Sequence, residues 1–200
     1  LLLKKKSYDN ILDVGANVGV HSVIFNKLGF NVVAIEPDPN HFKQLKKNIN
    51  LNNLKNIFLK NVALSNKNGL NKFYQVKNNT TGNHIVNSKA KPYGPKKIIK
   101  VKTLNATNFL EKADFVKMDC EGQEAEIFKC LLKVKKIPDI LFEIHDKNKA
   151  KKIYIISKKL KLNLFSQKNM WKEVTKFNYM PFNNKEGLVF CSINKKIFLI

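Results

Sequence analysis

Two groups of residues in this chain are of a type and spacing that could do chemistry. Asp13, Gly15, Asn17 and Gly19 fall in ILDVGANVGVHSVIF at 11–25, where an apolar strand would turn sharply into a helix. Glycine permits such a turn and leaves room for a ligand to approach bare backbone at a helix N-terminus. Asp119 and Glu121 fall in KMDCEGQEAEIFKC at 117–130, and His145 closes ILFEIH at 140–145. Carboxylates and an imidazole at strand ends could orient a cationic ligand, position a hydroxyl or take its proton.

A carboxylate about 20 residues after such a turn can accept hydrogen bonds from ribose hydroxyls. Glu36, at the end of NVVAIEP at 31–37, stands there. Asn17 occupies the place of a middle glycine, where the backbone would have to approach a pyrophosphate. Asn tolerates left-handed geometry and keeps the turn plausible. A cofactor without a pyrophosphate, such as S-adenosylmethionine, therefore fits better than NAD. A glycine turn alone is also compatible with an ordinary structural turn, and acidic residues also favour helix starts, so Glu121, Glu124 and Glu126 are individually ambiguous. Asp119 is the stronger candidate. His145 and Asp119 are the candidate general bases, and Glu143 could orient a substrate hydroxyl; His21 falls in the first turn of the glycine-led helix and His84 in a long loop.

Periodicity supplies the elements that must hold these groups. Strands are expected at 11–14, 31–37, 57–64, 70–76, 98–104, 113–119 and 138–146, with β-rich segments near Leu164 and 188–193. Helices are expected from the glycine turn through Phe25, at 39–50, 106–112, 124–132 and 148–160, the first with Val18, Val20, Val23, Ile24 and Phe25 as its apolar stripe. The polar, Gly- and Pro-punctuated stretch 77–97 reads as a loop or lid over substrate. Alternating strands and helices predict one α/β domain over 1–200 with a mostly parallel sheet, completed after 148 by an antiparallel hairpin.

Composition narrows the function classes. The 200 residues are 44% hydrophobic, enough for one substantial core. The opening LLLKKKSYDN is too short an apolar run for a signal peptide or a membrane helix, and no later run approaches about 18 residues. Leu1 in place of Met leaves room for a preceding segment that could carry targeting or substrate contacts. Cys120, Cys130 and Cys191 form neither a disulfide framework nor a Cys-x-x-Cys pair, which predicts a reducing, cytoplasmic setting; Cys120 reads as a small buried thiol. Hard-cation sites need several converging oxygens, which a sequence does not display, and no required metal is expected. The net charge of +22 favours anionic partners. All 37 basic residues are Lys, however, and the missing Arg weakens specific nucleic-acid recognition.

LDVGANVGVHS at 12–22, NVALSNKNG at 61–69, VKMDCEGQEAEIFK at 116–129 and LFEIH at 141–145 together resemble the FkbM family of S-adenosylmethionine-dependent methyltransferases. The likeness spans roughly 10–147, in order, and its Asp-x-Glu-Gly signature is more specific than the glycine turn. The resemblance implies a class I methyltransferase fold, Rossmann-like with a mostly parallel seven-stranded sheet, and O-methylation of a sugar, polyketide or other small-molecule hydroxyl. It implies a cofactor cradle at Asp13, Gly15, Asn17 and Gly19, ribose contact at Glu36, an adenine border at Asn61, Val62 and Ala63, and Asp119 with Glu121 facing donor and acceptor. RNA-directed methylation and a non-catalytic cofactor-binding module remain the other two readings.

Overall fold

The computed structural model describes residues 8–76, 82–88 and 94–194. Five strands with apolar positions on both faces form the parallel part of the main sheet, as expected where helices cover both sides. They are β1 (Asn10–Val14), β2 (Asn31–Ile35), β3 (Ile57–Lys60), β8 (Phe115–Met118) and β9 (Asp139–Glu143), in the order β9-β8-β1-β2-β3. Beyond β9 follow β12 (Leu188–Ser192), β10 (Asn163–Ser166) and the two-residue edge strand β11 (Lys172–Glu173). β12 runs antiparallel to both of its neighbours, so it is the reversed strand inserted near one edge. The sheet thus has the expected seven strands plus β11.

The period-two alternation splits the core in two. Ile11, Val32, Ala34 and Phe115 pack with Phe25, Leu45 and Ile49 of helices α1 (Val20–Lys27) and α2 (Pro39–Leu51). Leu12, Val14, Val116, Met118, Ile140 and Phe142 face the other way, onto α3 (Thr107–Lys112), α4 (Glu124–Cys130) and α5 (Lys147–Lys159). Helix starts follow local chemistry. Asp38 Oδ1 accepts from Asn40 N and His41 N with Pro39 in the first turn, and Asp146 Oδ1 accepts from Lys149 N.

Three sequence expectations are corrected. The run 57–64 is two strands: β3 ends at Lys60, and β4 (Ala63–Ser65) joins a second, four-stranded sheet with β7 (Lys96–Asn105), β5 (Gly69–Val76) and β6 (His84–Ile85). Continuous apolar spacing hides such a change of sheet. The loop read at 77–97 contains β6 and the first residues of β7; 77–81 and 89–93 lie outside the described residues. Thirdly, α1 turns Val20 (61% exposed) and Ile24 (49% exposed) outward, and its buried positions are Ser22 and Phe25. Ser22 faces the sheet because its hydroxyl donates to buried Asp13 at 2.6 Å.

Candidate active site

The C-terminal ends of β9, β8, β1 and β2 lie side by side, and each carries one part of the site. β1 connects onward to β2 on one side while β8 leads to β9 on the other, the switch point where open α/β sheets bind ligands. A cavity of about 370 Å³ opens there, within the range typical of small-molecule sites. Gly15, Ala16, Asn17, Glu36, Ala63, Lys117, Asp119 and Glu121 are among its lining residues.

The glycine turn is held tightly by its neighbours. Gly15 N and Ala16 N both donate to Ile35 O at 3.0 Å, and Asp119 N donates to Val14 O at 3.0 Å. Gly15 has φ 77°, and a Cβ placed on it would lie 1.8 Å from Asp119 O. The glycine is therefore required by contact between the two halves of the site. Asn17 takes the left-handed φ of 52° that its side chain tolerates, and its N–H donates to Glu36 Oε2 at 2.8 Å. Glu36 Oε1 accepts from Asp38 N at 2.8 Å. Burial pushes the Glu36 carboxyl up to about 7 against the lowering pull of these two N–H groups.

Asp13 is fully buried behind the turn, with Lys117 Nζ 3.5 Å from its Oδ1; Lys117 Nζ also donates to Gly15 O at 3.2 Å and lies 4.0 Å from Asp119 Oδ2. Asp13 and Gly19 thus lie behind the turn, off the cavity wall; a Cβ on Gly19 would meet Leu45. Asn61 also acts from behind, donating to Glu36 O at 2.8 Å and Pro37 O at 3.1 Å. Val62 belongs to the core, whereas Ala63 and Leu64 line the cavity.

At the other end, the turn after β8 places Glu121 at φ 52° and Gly122 at φ 104°. Fully buried Glu124 organises it: its Oε1 accepts from Cys120 N at 3.2 Å and Gly122 N at 3.1 Å. The His145 side chain is 2% exposed and surrounded by acid. Its Nε2 lies 3.5 Å from Glu124 Oε1, 3.7 Å from Glu143 Oε2 and 3.9 Å from Asp119 Oδ1; its Nδ1 lies 3.8 Å from Glu121 Oε2. Burial opposes the imidazolium, but the Glu124 carboxylate, with Glu121 and Glu143, outweighs it and raises the His145 pKa. Burial likewise opposes ionisation of Glu124, yet His145 and the Gly122 N–H hold its pKa low. Glu143 is pushed up to about 6 by burial and then by Asp119. Burial and Glu124 raise the Cys120 thiol well above its usual value, which leaves it inert.

The fold therefore brings Asp119, Glu121 and His145 together, with Asp119 (side chain 44% exposed) and Glu121 on the cavity wall and His145 behind them. Sequence reasoning missed three contributors. Lys117 is a lone cation in the otherwise apolar β8, a usable signal. Glu124 reads only as a helix-start acid, although it forms the turn. Ser88 carries no signal: its Oγ donates to Glu121 O at 3.0 Å, and its carbonyl accepts from Lys149 Nζ.

No protein of curated function matches the chain. Among solved structures, it is similar to precorrin-6y C5,15-methyltransferase from Geobacter metallireducens, at 13% identity and a TM-score of 0.48 over 95% of this chain and 82% of that one. It is similar to ribosomal protein L11 methylase from Lactobacillus delbrueckii subsp. bulgaricus, at 13% identity and TM-score 0.46 over 82% and 66%. TYW2 of P. horikoshii, in complex with MeSAdo, gives 17% and 0.48 over 93% of this chain and 58% of that one. The methyltransferase FkbM domain matches residues 13–180, which takes in the glycine turn, Glu36, the Asp119–Gly122 turn and His145. The chain belongs to the FkbM methyltransferase domain family.

Proposed function

We propose that this chain transfers a methyl group from S-adenosylmethionine to a hydroxyl of a sugar, glycan or other small molecule. The observation that carries the reading is that the glycine turn, Glu36 and the Asp119–Glu121 turn line one cavity at the sheet's switch point. The residues present fit the cofactor. Gly15–Asn17 offers backbone where a side chain would intrude, Glu36 offers a carboxylate for ribose hydroxyls, and Ala63 with Leu64 offers an apolar border for adenine. Asp13, Gly19, Asn61 and Val62 support that cradle.

The cofactor when bound supplies a sulfonium-activated methyl group. Asp119, partly exposed at the cavity wall, is the chain's acceptor-facing carboxylate: it orients the hydroxyl and accepts its proton as the O–C bond forms and the S–C bond breaks. Glu121 shares that wall, and the buried His145 stands behind Asp119 as the second candidate base, its Nε2 3.9 Å from Oδ1. Phe73 and Ile85 of the second sheet add an apolar part to the cavity wall.

Incubation with S-adenosylmethionine carrying a labelled methyl group and a panel of glycans, small alcohols, lipids and RNA tests the reading. Label should pass to a hydroxylated small molecule or glycan, and Asp119→Asn should reduce transfer by about 10²- to 10⁴-fold while retaining cofactor binding. Transfer to RNA alone would favour the nucleic-acid reading, and binding with no transfer the non-catalytic one. Full transfer by Asp119→Asn would remove Asp119 from the mechanism.

A further inference from the structure

The groups around His145 have more ligand capacity than a proton path needs. Asp119, Glu121 and His145 each present a ligand atom, and the three atoms lie within 4.8 Å of one another. Ligands about 2.0–2.2 Å from a shared cation stand roughly 3 Å apart at right angles and about 4 Å apart when opposed, so modest contraction would bring this set around one ion. A second observation points the same way. The His145 side chain is 2% exposed, and its Nε2 has no hydrogen-bond partner; the facing Asp119 Oδ1, 3.9 Å away, is also buried and without one.

Charge supports a cation there. Four carboxylates, those of Asp119, Glu121, Glu124 and Glu143, surround one imidazole. Lys117, on the far side of Asp119, is already engaged with Asp13 and the Gly15 carbonyl. Glu124, whose Oε1 lies 3.5 Å from the His145 Nε2, is already held by the Cys120 and Gly122 N–H groups and braces the imidazole.

We propose that Asp119, Glu121 and His145 form a binding site for a divalent cation at the acceptor end of the cavity. Its placement beside the acceptor rests on the methyl-transfer reading; the site itself rests on the three ligands. One imidazole with two carboxylates suits a cation of intermediate hardness such as Mn²⁺, with remaining positions open to water or an acceptor oxygen. An ion there would fix that oxygen and favour its deprotonation, with Asp119 ligating through one carboxylate oxygen and taking the proton on the other. Chain order does not display the convergence, because β8 and β9 bring His145 to the carboxylates only in the fold.

Mn²⁺ titrated into the chain, with free ion followed by its paramagnetic resonance signal, tests the site without any methyl donor. One bound ion per chain is expected, weakened at least tenfold by His145→Gln and by Glu121→Gln, each checked for a native circular dichroism spectrum. If His145→Gln fails to fold, Glu121→Gln decides. No binding up to about 1 mM Mn²⁺, the weak end of biological cation sites, overturns the proposal, as does equal binding by wild type and both variants. A parallel titration with S-adenosylhomocysteine separates the two readings. That ligand binding while Mn²⁺ does not overturns the cation site alone; Mn²⁺ binding while that ligand does not supports the site and overturns the cofactor assignment.

Discussion

Replacing Glu36 by Gln tests how a buried carboxylate serves both the glycine turn and the cofactor. Its two oxygens accept from Asn17 N and Asp38 N, each at 2.8 Å, and the residue is 5% exposed. Burial raises its pKa from 4.5 to about 7. Because the folded value lies above the unfolded one, the group's contribution to stability is complete below about pH 4.5 and is lost as pH rises through 7. At about 1.4 kcal/mol per unit, the loss amounts to about 3 kcal/mol. Gln cannot ionise, so this contribution to the pH dependence should be absent from the variant, which keeps only that of other groups such as Glu143. Gln also sets an amide nitrogen against one backbone N–H and forfeits a hydrogen bond worth about 1–3 kcal/mol. Urea unfolding should therefore find Glu36→Gln less stable than wild type near pH 5 and equal or more stable near pH 8. Cofactor binding should respond in the opposite sense. The ionised fraction of Glu36 rises from about one-tenth at pH 6 to about nine-tenths at pH 8, so calorimetric affinity for S-adenosylhomocysteine should rise about tenfold in wild type. In Glu36→Gln that rise should vanish, with affinity at pH 8 about 10- to 100-fold lower. Parallel stability curves for the two proteins, or unchanged affinity at pH 8, would refute the reasoning.

Other changes probe the remaining supports. Gly15→Ala should separate the glycine turn from the end of β8, since its Cβ would sit 1.8 Å from Asp119 O on a left-handed backbone; a loss of about 3 kcal/mol or more in denaturant unfolding and of measurable cofactor binding is expected. Gly122→Ala would bring a Cβ to 2.2 Å from Ser88 O and should lower transfer at least tenfold while changing cofactor affinity less than threefold, measured by turnover and calorimetry side by side. Phe128→Ala, which opens the core between α4 and β9 where the Phe128 and Phe142 rings pack tilted with centroids 4.8 Å apart, should lower stability by about 3–5 kcal/mol in the same unfolding assay.

Much of the fold was legible because burial imposes periodicity. β1, β2, β8 and β9 are short apolar runs, and Asp38 with Pro39 marks the start of α2 by side-chain chemistry. The failures are equally physical. The 57–64 run reads as one strand because a move to a second sheet changes hydrogen-bond partners and leaves the spacing of apolar side chains intact. Val20 and Ile24 look like core on a helical wheel, yet Ser22 takes the inward position because Asp13 needs a donor. For the site, Gly15, Glu36 and Asp119 announce themselves by type and spacing. Lys117 leaves a readable signal as a lone cation in an apolar strand, Glu124 braces its own turn while reading as an ordinary helix-start acid, and Ser88 acts through contacts with distant segments that no local pattern encodes.

The most direct test of the account is calorimetric titration of the chain with S-adenosylmethionine and with NAD under the same conditions at pH 8. The account predicts one S-adenosylmethionine bound per chain, abolished by Gly15→Ala, and no heat from NAD. Saturable NAD binding, or no binding of S-adenosylmethionine by natively folded chain, would contradict it.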